Sequence, residues 1–360
     1  MSTLLKVAII GCGGIAGGKH LPSLSRQKEV EIVAFCDIVE ERAMEAAAKY
    51  GGEDAKVYTD YKLMLEESSA EVIHVCTPND SHAEITIASL ESGRHVMCEK
   101  PMAKTSEQAR SMLEAAKRTG KKLSIAYQNR FRPDSQYLKQ LCEDGELGDI
   151  YLGKALAIRR RAVPTWGVFL DEEKQGGGPL IDIGTHALDL TLWLMDNYEP
   201  KSVTGSVFHK LGSREHAANA FGSWDPALFK VEDSAFGFIT MKNGATIVLE
   251  SSWALNVLEV GEARTILSGT EGGADMQDGL RLNGEKHSRL YETKVDLSAG
   301  GVAFYEGEQE TEADVEARSW VKAILEDGAP LVAPEQALVV TEILEAIYES
   351  AKTGKTVYFN

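Results

Sequence analysis

Three side chains of this 360-residue chain have types and spacings that suit proton and alkoxide chemistry. Two of them, Asp182 and His186, lie in the run Gly176-Gly177-Gly178-Pro179-Leu180-Ile181-Asp182-Ile183-Gly184-Thr185-His186. Imidazole titrates near neutrality, so it can take a proton from an alcohol while hydride leaves the carbon. A helix puts residues four apart on one face, where a carboxylate orients the ring and stabilises its cation. Asp189, three residues beyond His186, competes for that partner role. The third side chain is Lys100, in Cys98-Glu99-Lys100-Pro101. Its ammonium would favour a developing alkoxide. Alone, each feature has a plain alternative: a Lys-Pro turn with a solvated charge, or a pair on a helix surface. The glycine triplet leaves backbone free to approach a ligand.

Such chemistry needs a hydride acceptor, and the N-terminal turn offers a place for one. Gly11-Cys12-Gly13-Gly14-Ile15-Ala16 fits GxGxxG/A after an apolar strand and before a helical pattern. Glycines there let backbone N–H groups approach a pyrophosphate at a helix N-terminus, and a small sixth residue allows close helix–strand packing. The next strand ends at Asp37, suited to accept hydrogen bonds from a ribose. Ile38 follows it rather than a basic residue, which favours NAD over NADP, although Arg42 is near. The expected cofactor contacts are Gly11, Gly13, Gly14, Ile15 and Asp37. Thr77, Pro78 and Asn79, with His82 shortly after, follow a later strand end, where open parallel sheets bind ligands. Read alone, Asn79 fits a helix cap better than a ligand contact.

These motifs require a parallel sheet with crossover helices. Apolar runs at Lys6–Ile10, Glu31–Cys36, Val72–Cys76, His95–Cys98 and Leu123–Ala126 read as buried strands. Helical patterns separate them, so a doubly wound domain is expected over 1–127. From 128 to 360 the rhythm changes to α+β. A helix at Pro133–Glu143 and a strand at Ile150–Val163 precede a helix at Asp182–Met195. Strands then accumulate at Ser202–Leu211, Ser234–Met241, Ala245–Trp253 and Ala263–Gly269, with Lys242-Asn243-Gly244 as a hairpin turn. Two helices close the chain, the last with the option of packing back on the first domain.

A net charge of −17 argues against a nucleic-acid partner. Arg159-Arg160-Arg161 is the one concentrated basic run, and it reads as a strand end or as a contact for a phosphorylated or carboxylated substrate. No apolar run reaches the ~20 residues of a membrane span. Cysteines 12, 36, 76, 98 and 142 lack CxxC spacing, which points to buried thiols, no metal site and a cytoplasmic setting.

Taken together, GCGGIA, FCDI, CTPNDSH, CEKP and GGGPLIDIGTHALD occur in an order that resembles the Gfo/Idh/MocA oxidoreductases, the family of glucose–fructose oxidoreductase and inositol dehydrogenase. The resemblance covers nearly the whole chain. It implies an N-terminal Rossmann domain and a C-terminal α+β domain with an open, predominantly antiparallel sheet, which forms homodimers or homotetramers. It further implies that Lys100 binds the reacting hydroxyl and that Asp182 and His186 form the acid/base pair. Glu99 joins Thr77, Pro78, Asn79 and His82 in shaping the NAD site, and Gln128 falls in a segment, QNRF, where relatives vary. The substrate expected on this basis is a cyclic polyol or sugar, oxidised at a ring hydroxyl to a ketone. Trp166, on the loop before the glycines, is a candidate cover for the nicotinamide or a pyranose face. Two further readings are an NAD-recycling glycosidase and a non-catalytic, sugar-sensing regulator.

Overall fold

In the computed structural model residues 4–297 and 310–360 are described. Two compact units emerge: Met1–Gln128 with Gln309–Leu338, and Asn129–Glu308 with Val339–Asn360. The division falls between Gln128 and Asn129, and a later segment returns to the first unit. Its helix, Glu312–Leu325, places Ala317, Trp320 and Val321 in the same core as Val7, Ile9 and Phe35. Arg26 on the first helix anchors it with a 2.7 Å bond from Nε to Asp314 Oδ1.

The first unit holds a six-stranded parallel sheet in the order β3-β2-β1-β4-β5-β6. These strands are Leu5–Ile10 (β1), Val30–Cys36 (β2), Lys56–Tyr58 (β3), Val72–Val75 (β4), His95–Cys98 (β5) and Leu123–Ile125 (β6). This is the doubly wound order expected for a dinucleotide fold, reversing direction at β1 and β4. Burial on both faces explains the unbroken apolar runs; every residue of β4 is buried. The edge strand β3 has no counterpart among the expected strands, because three residues with one buried side chain carry no readable period. The helix Ser106–Thr119 shows how local chemistry sets boundaries. Thr105 accepts from the Gln108 N–H at its start, and Gly120 stops it at φ +67°.

Cysteines punctuate this sheet. Cys36 and Cys98 end β2 and β5, Cys76 follows β4, and Cys12 sits in the turn after β1. All five cysteines of the chain are free thiols. Burial pushes the Cys12 and Cys36 thiols up to about 12.

The second unit is built on a nine-stranded sheet in the order β14-β13-β12-β11-β7-β10-β9-β8-β15. Its strands are Ile150–Ile158 (β7), Pro200–Phe208 (β8), Ser234–Met241 (β9), Thr246–Ser252 (β10), Gly261–Gly269 (β11), Gly272–Asp275 (β12), Arg281–Lys286 (β13), Arg289–Lys294 (β14) and Val357–Tyr358 (β15). All pairings are antiparallel except β7 with β10. The Lys242–Gly244 hairpin is present, with Gly244 at φ +94°. The strand expected over 150–163 ends at Ile158, and β12, β14 and β15 were not anticipated. β12 is glycine-rich and β14 is exposed throughout, so neither alternates. Among the described residues no helix is long and apolar enough to cross a membrane.

Over 180–195 a helix lies on this sheet, and its underside holds a buried ion pair. Arg130 Nε and Nη2 donate to Asp189 Oδ2 and Oδ1 at 2.9 and 2.6 Å, and both side chains are almost fully buried. Asp189 is therefore held by Arg130 in a structural pair, which answers the sequence-based suggestion that it serves His186. Removing one partner of a buried pair leaves an uncompensated charge. Asp189→Ala is expected to lower unfolding stability by about 3–5 kcal/mol in urea titrations. A loss below about 1 kcal/mol would show that water reaches the guanidinium.

Candidate functional site

The N-terminal glycine turn is shaped by steric demand. Gly11 has φ +89°, and a Cβ there would lie 2.7 Å from the Cys76 carbonyl carbon and oxygen. Its N–H bonds to Cys36 O at 2.8 Å, so the turn is wedged between the ends of β2 and β4. Gly13 and Gly14 are the reverse case: a Cβ at either meets nothing within 4 Å. The protein keeps these two positions bare without filling the space itself. A helix over 14–25 starts here, with Ile15 exposed and Ala16 fully buried against the sheet. Asp37 accepts the Cys12 and Val39 N–H groups at 2.8 Å each, one on each oxygen. Each oxygen retains a second lone pair for a hydroxyl group. Open glycines, a helix N-terminus and a fixed carboxylate fit a dinucleotide.

The ends of β4 and β5 are tied together from behind. His82 is fully buried, with Nε2 2.9 Å from Thr77 O and Nδ1 2.8 Å from Pro101 O. Carbonyl oxygens only accept, so the two contacts favour a doubly protonated ring. Burial outweighs them and lowers the His82 pKa. His82 thus shapes the edge through backbone rather than from an exposed position. Thr77 Oγ1 accepts from Ser81 Oγ at 2.7 Å. Asn79, largely buried, opens a short turn, while the helix His82–Glu91 has Ser81 at its cap position. Pro78 precedes that turn, and Gln128 opens another at Gln128–Phe131 after β6. Lys100 is half-buried and joined to Pro101 by a cis peptide bond. Its N–H donates to Glu99 Oε2 at 3.1 Å.

In the second unit, the segment carrying Asp182 and His186 winds as a π-helix over Leu180–Gly184 and continues as an α-helix over Thr185–Met195. π-Helical turns inside helices recur at functional sites. From Gly177 to Leu194 every residue is buried except Asp182 and His186. Trp253 Nε1 donates to Asp182 Oδ2 at 3.0 Å, and Arg159 Nη1 lies 4.0 Å from the same oxygen. Arg159 is itself clamped by Glu262, with Nε–Oε2 and Nη2–Oε1 both 2.6 Å. Arg161 Nη2 bonds to Asn256. Trp166 is 53% exposed, edge-on to Phe169 and Phe221.

The glycine triplet has a different purpose from the one expected. A Cβ on Gly177 would collide with the Tyr348 hydroxyl, and one on Gly178 with Glu232. The bare backbone makes room for the Tyr348 hydroxyl at Gly177 and for the Glu232 main chain at Gly178. Glu232 accepts the Gly178 N–H at 2.8 Å, the Leu180 N–H at 3.1 Å and the Tyr348 hydroxyl at 2.8 Å. Burial pushes the Glu232 carboxyl up while these donors pull it down, with burial ahead. Glu232 and Trp253 escape sequence reasoning because they lie 54 and 71 positions from their partners. Neither has a local pattern to mark it.

Residues 5–127 match the model of an oxidoreductase family with an NAD-binding Rossmann fold (GFO_IDH_MocA), and residues 135–275 match the GFO/IDH/MocA C-terminal domain. A D-glucoside 3-dehydrogenase of Escherichia coli K12 is 38% identical over 360 residues, 99% of this chain and 98% of its own. An inositol 2-dehydrogenase of Salmonella paratyphi B is 31% identical over 194 residues, 53% of this chain and 55% of its own. The crystal structure of GenD2 from gentamicin A biosynthesis, in complex with NAD, superposes with a TM-score of 0.77 at 26% identity, covering 100% and 97% of the two chains. The chain belongs to the Gfo/Idh/MocA family of NAD-binding oxidoreductases, among which the sugar and polyol dehydrogenases are its relatives.

Proposed function

We propose that this protein is an NAD-dependent dehydrogenase that oxidises a ring hydroxyl of a neutral sugar or cyclic polyol, most favourably a glycoside, to the ketone. The observation that carries the reading is the burial pattern from Gly177 to Leu194, where every residue but Asp182 and His186 is buried. A glycoside is favoured by the 38% identity, over nearly full length, to a D-glucoside 3-dehydrogenase. A neutral substrate is favoured by Arg159, whose guanidinium fork is already taken by Glu262 and so is not poised for a phosphate.

In this reading NAD, when bound, takes up the hydride from the carbinol carbon. Gly11, Gly13, Gly14 and Ile15 would hold its pyrophosphate, Asp37 a ribose, and Thr77, Pro78, Asn79 and Gln128 the remainder of its edge, with His82 and Glu99 bracing that edge from behind. His186 removes the hydroxyl proton on a ring nitrogen. Asp182, fixed through Oδ2 by Trp253, keeps the ring oriented and its cation stable. Lys100 donates to the hydroxyl oxygen and stabilises charge as the proton leaves. Trp166 supplies an apolar ring surface for a sugar face.

The role assignments lead to a direct test by absorbance of the reduced nicotinamide across inositols, aldoses, anhydrosugars and glycosides. His186→Ala and Lys100→Ala are each expected to lower kcat on the best substrate by about 10²–10⁴, with NAD affinity changed less than about threefold. Near-wild-type turnover in either variant would remove that residue from the mechanism. Failure of every sugar and polyol to reduce NAD, despite NAD binding, would favour a sensing role instead.

The bare glycines give a second test. Because a Cβ at Gly13 meets no protein atom, Gly13→Ala should keep its melting temperature within about 2 °C while weakening NAD binding about tenfold, as read by calorimetric titration. Unchanged NAD affinity would place the pyrophosphate elsewhere.

A further inference from the structure

The first unit contains a group of charges where a doubly wound domain usually has only apolar packing. Lys19 and His20 lie on the π-helical stretch Ala16–His20 of the first helix, and both are buried. Lys19 Nζ is 3.0 Å from Glu99 Oε1 and 2.8 Å from Glu316 Oε2. His20 Nε2 is 2.8 Å from the same Glu99 oxygen, and its Nδ1 is 2.9 Å from His74 Nδ1. The second Glu99 oxygen accepts the backbone N–H of Lys100. These side chains come from the first helix, β4, the turn after β5 and the helix Glu312–Leu325.

Stability is a poor reason for such a cluster. Buried ion pairs are commonly replaceable by packed apolar groups without loss. Here Glu316 Oε1, Trp320 Nε1 and His74 Nε2 are also buried with no protein hydrogen-bond partner, an arrangement that costs free energy. Through Glu99 the cluster is bonded to the Lys100 backbone.

We infer that Lys19 and His20 are positioning residues for Lys100: they hold Glu99 as an ionised clamp on the Lys100 backbone, with Glu316 holding Lys19 in turn. This rests on the proposed role of Lys100 at the substrate hydroxyl. Lys19 and His20 occupy the inner oxygen of Glu99 and leave the outer one for the Lys100 N–H. Without Lys19, Glu99 would draw on the Lys100 ammonium as its counter-ion and pull it from the hydroxyl.

Electrostatics supply a readout that plain structural damage does not mimic. Burial pushes the Glu99 carboxyl up, but Lys19, His20 and Lys100 together hold it well below the usual carboxylate range. The other titratable groups near this cluster are His74, whose pKa burial lowers, Cys76 and Cys98, whose thiols burial raises, His82 and Glu316. In Lys19→Met the largest opposing charge is gone, so Glu99 should begin to protonate within the assay range. A carboxylate needed in its ionised form gives activity above its pKa and loss below it.

The test is the kcat–pH profile of full-length variants with saturating NAD and substrate. Lys19→Met is expected to lose about tenfold in kcat near pH 8 and a further tenfold by about pH 5.5. Lys19→Arg should restore a profile with the wild-type acid side. In the Lys19→Met/Glu99→Gln double variant the extra acid limb should vanish, since no carboxylate remains to titrate. Wild-type kcat and pH dependence in Lys19→Met, or an acid limb that survives in the double variant, would overturn the inference. Should Lys19→Met not fold, Glu99→Gln alone decides: it must lower kcat at least about tenfold without a large change in substrate KM, and wild-type kcat overturns the clamp. Lys100→Met, assayed beside them, separates the two ideas. Retained activity there overturns both the lysine's role and its positioning, whereas lost activity there with a normal Lys19→Met profile overturns the positioning alone.

Discussion

Backbone N–H groups that secondary structure leaves over must find an acceptor, and in this protein buried carboxylates provide it at each functional turn. Asp37 takes the Cys12 and Val39 N–H groups, Glu99 takes that of Lys100, and Glu232 takes those of Gly178 and Leu180. A hydrogen bond to a charged acceptor contributes about 1.5–3 kcal/mol, and losing a buried acceptor costs more than an average bond gains. Each carboxylate therefore fixes the position of a turn as well as neutralising its donors. The three turns carry the glycines at 11, 13 and 14, Lys100, and the helix that bears Asp182 and His186.

The two units solve the same problem with different partners. In the first, the carboxylate that serves Lys100 is itself held by the Lys19 ammonium and the His20 ring, so its charge is met inside the core. In the second, Glu232 is satisfied by two N–H groups and one hydroxyl, with no cation within its bonding set. Asp182 stands between these cases. A neutral indole N–H binds one oxygen, and a guanidinium mostly committed to Glu262 lies just beyond hydrogen-bond range.

Much of this architecture was legible in the chain. Parallel strands buried on both faces leave unbroken apolar runs, and the Gly11 turn has a steric cause that its motif encodes. Asp182 and His186 were visible as an i, i+4 pair, though the π-helical winding beneath them was not. The misses share a physical origin. β3, β12 and β15 are too short or too rich in glycine to carry a period. Glu232, Trp253, Lys19 and His20 act across the fold, where local spacing holds no information. The glycine triplet was read as room for a ligand, but the same bareness admits Glu232 and Tyr348. A missing side chain records that something approaches the backbone, not what it is.

The cysteines at the strand ends bear on how this edge tolerates oxidants. Cys12, Cys36, Cys76 and Cys98 stand beside the glycine turn, Asp37, Thr77 and Glu99. Thiolate, not thiol, is the species that peroxides and electrophiles attack. Burial pushes the Cys12 and Cys36 thiols up to about 12, which keeps them in the thiol form at neutral pH. The residues nearest the nucleotide edge are thus sulfur-bearing yet chemically quiet. Small apolar thiols fill narrow space beneath a ligand edge there, and redox stress has little purchase on them.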